Sequence, residues 1–321
     1  MPWLPGFDPD DELPPVAAKL APKLRDLAQR QILLGTSSWK YEGWVGSIYS
    51  RHRYETRGRF SMARFNADCL REYAQTFPVV CGDFSFYQFP TVRFWNHLFQ
   101  ETPKTLNFAF KVPEDITAQT WPQHPRYGTR AGRPNEQFLN AQLFNQAFVE
   151  PLRIHRSRVC VLIFEFGTFS RKAFADTQAF LGHLDRFLGE LPAGFRYAVE
   201  IRNPEYLGEP YFQTLARHRV AHVFNAWTRM PELDEQIEMP GAFTTDFTVA
   251  RALLTRGTPY EQAVKAYSPY SRVQNPNPRA RQALAAMIEH ARRTASPAFL
   301  FVNNRLEGFS PGTIEGVLEE I

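Results

Sequence analysis

Charged side chains occur at the ends of several short apolar segments of this chain. Glu200 and Arg202 are two residues apart in one such segment, so a strand would present both on the same face. Burying a charge is costly unless the charge is paired or hydrogen-bonded. A carboxylate in such surroundings can act as a general acid or base, and we predict that role for Glu200. Three further candidates for a catalytic role are Lys111, Glu165 and Asp83.

Other polar residues at the ends of apolar segments could bind an anionic substrate. Lys111, Arg202 and Arg251 would bring three positive charges toward one site, and cationic side chains form strong hydrogen bonds with phosphate and carboxylate groups. A helix predicted to begin at Ser310 and Pro311 could add the partial positive charge of its N-terminus. The predicted substrate-binding residues of this kind are Arg202, Arg251, Asn225, Asn303 and Asn304.

Aromatic residues near the predicted site could stack on a sugar or a base. Trp39, Tyr41 and Trp44 follow the first apolar segment, Tyr87 follows the second, and Trp227 follows the sixth. Aromatic side chains stack on nucleobases of any sequence. The alternative is that these rings only anchor loops to the protein, and both interpretations stay open. We count Trp39, Tyr41, Trp44 and Tyr87 among the predicted substrate-binding residues.

The elements that must position these residues alternate between two patterns. Short, nearly continuous apolar segments fit strands that are buried on both faces of a parallel sheet. Amphipathic stretches that fit helices separate most of these segments. The eight apolar segments are 32–37, 79–86, 107–112, 159–166, 195–201, 220–224, 247–251 and 298–302. The helical stretches are 16–29, 62–75, 92–101, 136–154, 177–191, 211–218, 279–293 and one from Pro311, whereas 224–247 has no convincing helix.

This alternation predicts an α/β fold, a (β/α)8 TIM-type barrel over residues 31–321, preceded by an N-terminal extension over residues 1–30. An open doubly wound sheet is the alternative. Its dinucleotide-binding form needs G-x-G-x-x-G after the first strand, and the turn here reads Gly35-Thr-Ser-Ser-Trp-Lys. In TIM barrels the catalytic groups lie at the C-terminal ends of the strands, where the polar residues named above fall.

The composition is that of a globular protein, with 44% hydrophobic and 22% charged residues among 321. A net charge of +4 permits an anionic ligand without requiring one. The three cysteines show no paired spacing, which favours a reducing compartment. The N-terminus lacks a signal-peptide pattern, and no apolar run reaches about 18 residues. We therefore predict a cytoplasmic protein with no membrane association.

Five short motifs occur in an order and at spacings that a barrel allows. They are Gly35-Thr-Ser-Ser-Trp, Phe86-Tyr-Gln-Phe-Pro, Phe110-Lys-Val-Pro, Val199-Glu-Ile-Arg-Asn-Pro and Val302-Asn-Asn-Arg. Together they resemble the domain-of-unknown-function 72 family, also called YecE-like, from about Ile32 to the C-terminus. The resemblance implies a TIM-type barrel with no established reaction. The family has been likened to the endonuclease IV and xylose isomerase branch of barrels, which would imply phosphodiester or sugar chemistry.

The chain departs from the pattern that the resemblance implies at two strands. The family usually carries a Glu and an Asn on the second strand, where this chain has Cys81 and Asp83. The fourth strand of the family more often ends in a Pro-rich turn that contains Gln, whereas here Glu165 lies in Phe-Glu-Phe-Gly-Thr-Phe. These departures indicate a divergent subgroup whose chemistry could differ from that of a typical member.

Several chemistries are compatible with these residues. No His falls at the C-terminal end of a predicted strand, which argues against zinc, whereas Asp83, Glu165 and Glu200 leave Mg²⁺ or Mn²⁺ open. Glu165 and Glu200 could also form the carboxylate pair of a glycoside hydrolase. The convergent positive charges favour a third prediction. We expect a hydrolase or lyase with a Glu general acid/base that acts on a phosphorylated or otherwise anionic small molecule.

A non-catalytic protein that binds nucleic acid or a nucleotide is the competing prediction. Its support is the basic loop 51–59 beside Trp39, Tyr41 and Trp44, since bases stack on such rings while Arg and Lys meet phosphates. A solvated loop without a ligand is the simpler interpretation of this loop. Affinity measured at several salt concentrations would distinguish the two functions, because binding to a nucleic-acid backbone weakens steeply as the salt concentration rises.

Overall fold

A computed structural model describes residues 12–321. Eight parallel strands form a closed barrel in which each strand pairs with its neighbour in the chain and the last pairs with the first. The predicted TIM-type barrel is therefore confirmed, and the open sheet is wrong. The barrel strands are β1 (Ile32–Thr36), β2 (Val79–Val80), β3 (Asn107–Lys111), β4 (Val159–Phe166), β5 (Tyr197–Ile201), β6 (Ala221–Ala226), β7 (Thr248–Ala252) and β8 (Ala298–Val302).

Side chains alternate between the inside of the barrel and the layer of helices around it, because successive residues of a strand point to opposite faces. Val161, Ile163, Ala198 and Val223 belong to one buried cluster inside the barrel. The intervening residues, such as Phe164, pack in a second cluster with the helices. Both faces of the strands are thus apolar, which explains why the segments looked continuous in sequence.

Strand β2 is much shorter than predicted, since it covers Val79–Val80 rather than 79–86. Strand β1 approaches it closely at Gly35, where a Cβ atom would lie 2.0 Å from the carbonyl oxygen of Val79. Beyond β2, Trp39 occupies the space beside Gly82, where a Cβ atom would lie 2.3 Å from the indole ring. The chain therefore leaves the sheet and delivers residues 83–87 to the C-terminal end of the barrel, which we call the mouth.

Each predicted amphipathic stretch contains a helix, but the stretch 136–154 is divided, and four more helices were not predicted. The stretch 136–154 is divided into Ala141–Phe144, a π-helical turn Asn145–Val149 and Glu150–Leu152, since Pro151 cannot donate a backbone hydrogen bond. The four helices that were not predicted are Glu114–Thr117 after β3, Leu233–Ile237 between β6 and β7, where none was convincing, Tyr260–Tyr267 after β7 and Asn304–Glu307 after β8. The remaining α-helices are Pro15–Gln29, Met62–Thr76, Val92–Gln100, Thr177–Gly189, Glu209–Arg217, Pro278–Thr294 and Ser310–Glu319. The shorter elements are 3₁₀ turns at Glu42–Trp44, Arg51–Tyr54, Pro125–Arg130, Arg153–Arg158 and Pro204–Tyr206, and a hairpin of Glu55–Thr56 with Arg59–Phe60.

The first helix, Pro15–Gln29, buries Leu20, Leu24 and Leu27 against the rest of the protein. Ala28 packs against the cluster inside the barrel, so this helix meets the barrel at the N-terminal end of β1, opposite the mouth. Residues 1–11 of the predicted extension lie outside the described residues. No helix in residues 12–321 has the length and apolar composition needed to cross a membrane.

Candidate active site at the barrel mouth

The inward-facing residues change from apolar to charged at the C-terminal ends of the strands. On β4, Ile163 belongs to the cluster inside the barrel, and Glu165 is the next inward residue. Glu165 and Glu200 are register partners on β4 and β5, and Asn225 and Arg251 are register partners on β6 and β7. Because register partners in a parallel sheet point the same way, the strands deliver these side chains to one layer. The sequence placed these residues only at equivalent positions of separate strands. The structure brings them together in space.

Arg251 lies at the centre of this layer, with only 4% of its surface exposed. Its Nη1 atom donates to Glu165 Oε2 at 2.6 Å and also to Glu200 Oε2. Its Nε atom is buried and has no hydrogen-bond partner in residues 12–321. Arg251 thus ties together two carboxylates from strands on the other side of the barrel, and it does not present a free guanidinium to a ligand.

Arg202 follows β5 and covers the same two carboxylates from the solvent side. Its Nη2 atom lies 3.0 Å from Glu165 Oε1 and 3.0 Å from Glu200 Oε1, and its Nε atom also donates to Glu200 at 3.0 Å. The indole ring of Trp227 lies 3.9 Å from the guanidinium carbon. Glu200 on β5 and Arg202 just after it point to the same side of the chain, as predicted. Their proximity makes them partners of each other.

Lys111 closes the third side of the network at the end of β3. Its Nζ atom lies 2.6 Å from Asp83 Oδ1, 3.3 Å from Glu165 Oε2 and 3.6 Å from the ring centre of Phe86. Lys111 and Glu165 are buried, whereas half of the Asp83 side chain is exposed. Asp83 is therefore the carboxylate of this network that solvent reaches most easily.

The network balances three cations, Lys111, Arg202 and Arg251, against the carboxylates of Asp83, Glu165 and Glu200. Burial by itself raises the pKa of Glu165, but the charges of Arg202, Lys111 and Arg251 outweigh burial and hold that pKa well below its usual range. Burial lowers the pKa of Lys111, and the charges of Glu165 and Asp83 reverse this and raise it. Glu165 is therefore ionised and Lys111 protonated at neutral pH.

The predicted amide residues serve the structure of the mouth. Asn225 Nδ2 donates to the carbonyl oxygens of Ile201 and Val223, at 3.1 and 3.2 Å, and its Oδ1 is buried without a partner in the described residues. Asn303 Oδ1 accepts a hydrogen bond from the backbone of the next turn. Asn304 Oδ1 accepts from Ser310 N at 2.7 Å and from Ser310 Oγ at 2.8 Å. This contact caps the start of the helix Ser310–Glu319, which was predicted to assist anion binding.

The predicted aromatic residues separate into buried and exposed groups. Trp44 is completely buried against Tyr49 and Phe309, so the prediction that it stacks on a ligand is wrong. Trp39 stacks on Phe84 with 4.6 Å between ring centres, and Tyr41 lies between Trp44 and Tyr270. Tyr87 is 48% exposed beside the mouth. Packing rather than residue type decides which of these rings a ligand can reach.

Glu114 is a carboxylate of the mouth that the sequence analysis missed. It lies three residues after Lys111, and its backbone N–H donates to the carbonyl of Phe86 at 2.9 Å. The hydroxyl of Tyr127 donates to its Oε2 atom. Burial raises the pKa of Glu114, although the hydrogen bond from Tyr127 and the charge of Lys111 act in the opposite direction. The signal in sequence was the Lys-Val-Pro-Glu continuation of β3.

The carboxylates of the network do not fit the metal site that remained open. All four oxygens of Glu165 and Glu200 are already ion-paired with Lys111, Arg202 or Arg251. A Mg²⁺ ion would have to displace these cations before it could bind there. Across residues 12–321, no three His, Cys, Asp or Glu side chains lie close enough together to hold a metal ion.

The same contacts weaken the glycoside hydrolase prediction. Such an enzyme needs one carboxyl group that carries a proton for the leaving group. Glu165 is held ionised, and both oxygens of Glu200 accept from arginine. The pair is thus bridged by guanidinium groups where a sugar would have to lie.

The basic loop 51–59 pairs part of its charge within the protein. Arg53 is buried with its Nε atom 3.5 Å from Glu72 Oε1, and Arg51 Nε lies 3.0 Å from Glu55 Oε1. Arg57 and Arg59 are exposed. The loop is therefore packed against the helix Met62–Thr76 more than the nucleic-acid prediction assumed.

Comparisons with known proteins agree with the motifs of this mouth. The profile of the family described as "Protein of unknown function DUF72" matches residues 33–321. A DUF72 family protein (TM1631) from Thermotoga maritima MSB8 is 19% identical with a TM-score of 0.57, and the alignment covers 90% of this chain and 97% of that one. A DUF72 family protein (EF0366) from Enterococcus faecalis V583 is 15% identical with a TM-score of 0.56, covering 90% and 94%. No curated protein gives a significant match.

Proposed function

This chain belongs to the DUF72 family, and we propose that it is an enzyme that acts on a small anionic molecule at the mouth of its barrel. The observation that carries the proposal is the buried network of Lys111, Glu165, Glu200, Arg202 and Arg251. Removing charged groups from water costs several kcal/mol for each ion, and apolar residues of similar size are often at least as stabilising. Since packing does not require these charges, their place at the C-terminal strand ends supports a functional site.

The geometry favours positioning roles for Glu165 and Glu200. Each carboxylate forms ion pairs with both Arg202 and Arg251, so the pair fixes these two guanidinium groups. Glu165 also contacts the Lys111 ammonium at 3.3 Å. In this proposal Glu200 supports the site through Arg202, in place of the general acid/base role predicted from sequence, because Glu200 is completely buried and both of its oxygens accept from arginine.

Proton transfer falls to the two carboxylates nearest solvent. Asp83 is half exposed and lies 2.6 Å from Lys111 Nζ. We assign Asp83 as the base, with the Lys111 ammonium stabilising negative charge that develops on the substrate. Glu114, whose pKa burial raises, is the candidate acid beside Lys111. A base and an acid near one ammonium group suit a lyase or a hydrolase.

A turnover experiment tests the proposal. The full-length protein would be incubated with a mixture of phosphorylated sugars, phosphorylated organic acids and nucleotides, and the mixture would be followed by mass spectrometry. We expect at least one anionic compound to be consumed, and Asp83→Asn to slow its consumption by about 100-fold or more, the usual contribution of a general base.

A matched control separates this effect from the loss of an arbitrary ion pair. Asp68 pairs with Arg71 at 3.7 Å on the helix Met62–Thr76, and Asp68→Asn should leave turnover unchanged. Consumption of none of the compounds, or equal consumption by wild type and Asp83→Asn, would refute the assigned reaction.

A further inference from the structure

Two exposed tyrosines border the mouth. Tyr87 and Tyr260 are 48% and 47% exposed, and every other aromatic side chain in residues 12–321 is buried or half-buried. Tyr87 follows β2, and Tyr260 is the first residue of the helix after β7. Both rings therefore lie in segments that leave the C-terminal ends of strands. Exposed aromatic rings beside the mouth are placed to stack on a ligand that binds there.

Each of these rings is covered on one face by an arginine. The guanidinium carbon of Arg126 lies 3.9 Å from the ring centre of Tyr87, and that of Arg305 lies 4.5 Å from the ring centre of Tyr260. In the described part of the chain, neither arginine forms an ion pair with a carboxylate. Arg305 Nε is also buried without a hydrogen-bond partner there. These two guanidinium groups, unlike those of the buried network, are available to an anion.

Each exposed Arg–Tyr pair joins the buried network through one further ring. Tyr260 lies 6.5 Å from Trp227, which covers Arg202 at 3.9 Å. On the other side, Tyr87 lies 5.1 Å from Phe86, whose ring covers the buried ammonium of Lys111. A ligand held at the Tyr87 pair would thus border Lys111, and one held at the Tyr260 pair would border Arg202.

We infer that the anionic ligand of the mouth is a nucleotide, an inference that rests on the proposed function and specifies its substrate class. An arginine beside an aromatic ring offers a surface on which a base stacks and N–H groups that bind a phosphate. A sugar phosphate would also use the arginines, but a base stacked on an aromatic ring contributes about 1–3 kcal/mol, so the exposed rings favour a nucleotide. The same chemistry serves a free nucleotide and a single strand of nucleic acid.

Calorimetric titration of the full-length protein tests the inference with three probes: AMP, adenosine and ribose 5-phosphate. AMP should bind about tenfold more tightly than ribose 5-phosphate, because only AMP carries a base. Tyr260→Leu and Tyr87→Leu test the rings. At least one of them should weaken AMP binding about tenfold and leave ribose 5-phosphate binding nearly unchanged.

Substitutions of arginine test the phosphate contact. Arg305→Gln or Arg126→Gln should weaken AMP and ribose 5-phosphate binding together, by about tenfold. Arg196 is a matched control. It directly precedes β5, at the end of the barrel opposite the mouth, and its guanidinium carbon lies 5.6 Å from the ring centre of Phe299. Arg196→Gln should change neither affinity. Thermal unfolding of every variant shows whether a variant that loses binding is still folded.

The outcomes distinguish this inference from the proposed function. Equal binding of AMP and ribose 5-phosphate would overturn the nucleotide assignment and leave a small-anion enzyme intact. No binding of any of the probes, together with no turnover, would overturn both. A third outcome is that a six-residue adenylate RNA binds more than about tenfold more tightly than AMP, with an affinity that falls steeply as salt rises. This result would support the nucleotide assignment and would show that the nucleotide belongs to a single strand of nucleic acid.

Discussion

Glu165 and Glu200 are register partners on neighbouring strands, and both form ion pairs with the same two arginines, Arg202 and Arg251. Two carboxylates side by side in the interior would repel each other, so the arginines are what make this pairing tolerable. The relationship makes the network interdependent. Removal of one member leaves its partners as buried charges without compensation.

Arg251→Met should lower the free energy of unfolding by about 3–5 kcal/mol, because Glu165 and Glu200 lose a shared buried partner. Urea denaturation monitored by circular dichroism measures this loss. The matched control is Arg279→Met, since Arg279 is half-exposed and pairs with Asp234 at 2.6 Å and Glu235 at 2.8 Å. The control should change stability little. Equal effects of the two substitutions would contradict the central place of Arg251.

The stabilisation from Glu165 should depend on pH. Its folded-state pKa lies below its ordinary value of 4.5, so the folded protein binds this proton less readily than the unfolded chain. The contribution is therefore fully present above that value and is lost as pH falls toward the folded-state pKa. The difference in unfolding free energy between wild type and Glu165→Gln should be largest near neutral pH and shrink below about pH 4.5. A difference that is constant from neutral to acidic pH would argue against the ion pairs.

Gly35→Ala should destabilise the barrel by about 3 kcal/mol, since the added Cβ would lie 2.0 Å from the carbonyl oxygen of Val79 and push β1 from β2. Gly167 is the matched control. A Cβ at that position, just after β4, would have no heavy atom within 4 Å, so Gly167→Ala should be nearly neutral. Thermal unfolding of both variants provides the comparison. A stable Gly35→Ala variant would mean that β1 and β2 are farther apart than described.

The three cysteines should be unreactive in the folded protein. Cys69, Cys81 and Cys160 are buried without a disulfide, and burial raises the pKa of Cys81 to about 11 and that of Cys69 to about 12. The thiolate is the reactive form. A chromogenic thiol reagent at pH 8 should therefore modify the cysteines only after guanidinium chloride unfolds the chain. Rapid modification of the native protein would show that water reaches one of these thiols.

Local patterns in the sequence were enough to predict the barrel and the place of the mouth. Continuous apolar segments of strand length require burial on both faces, and polar residues that interrupt them at one end must lie at the C-terminal ends of parallel strands. The alternation of two residues was enough to place Glu200 beside Arg202, as their 3.0 Å contact shows. These inferences depend only on neighbours in the chain.

The pairing of charges depended on closure of the barrel. Arg251 bonds to Glu165 and Glu200 across 86 and 51 residues of sequence, a contact set by register and barrel curvature rather than by any local pattern. Burial of Trp44 likewise depends on Tyr49 and Phe309 packing against it. The sequence alone thus indicated most of the charged residues that reach the mouth, although it missed Glu114. Only the tertiary structure decided that Arg251 is consumed by carboxylates while Arg305 is not, because the partners of a buried charge are chosen by contacts between distant segments.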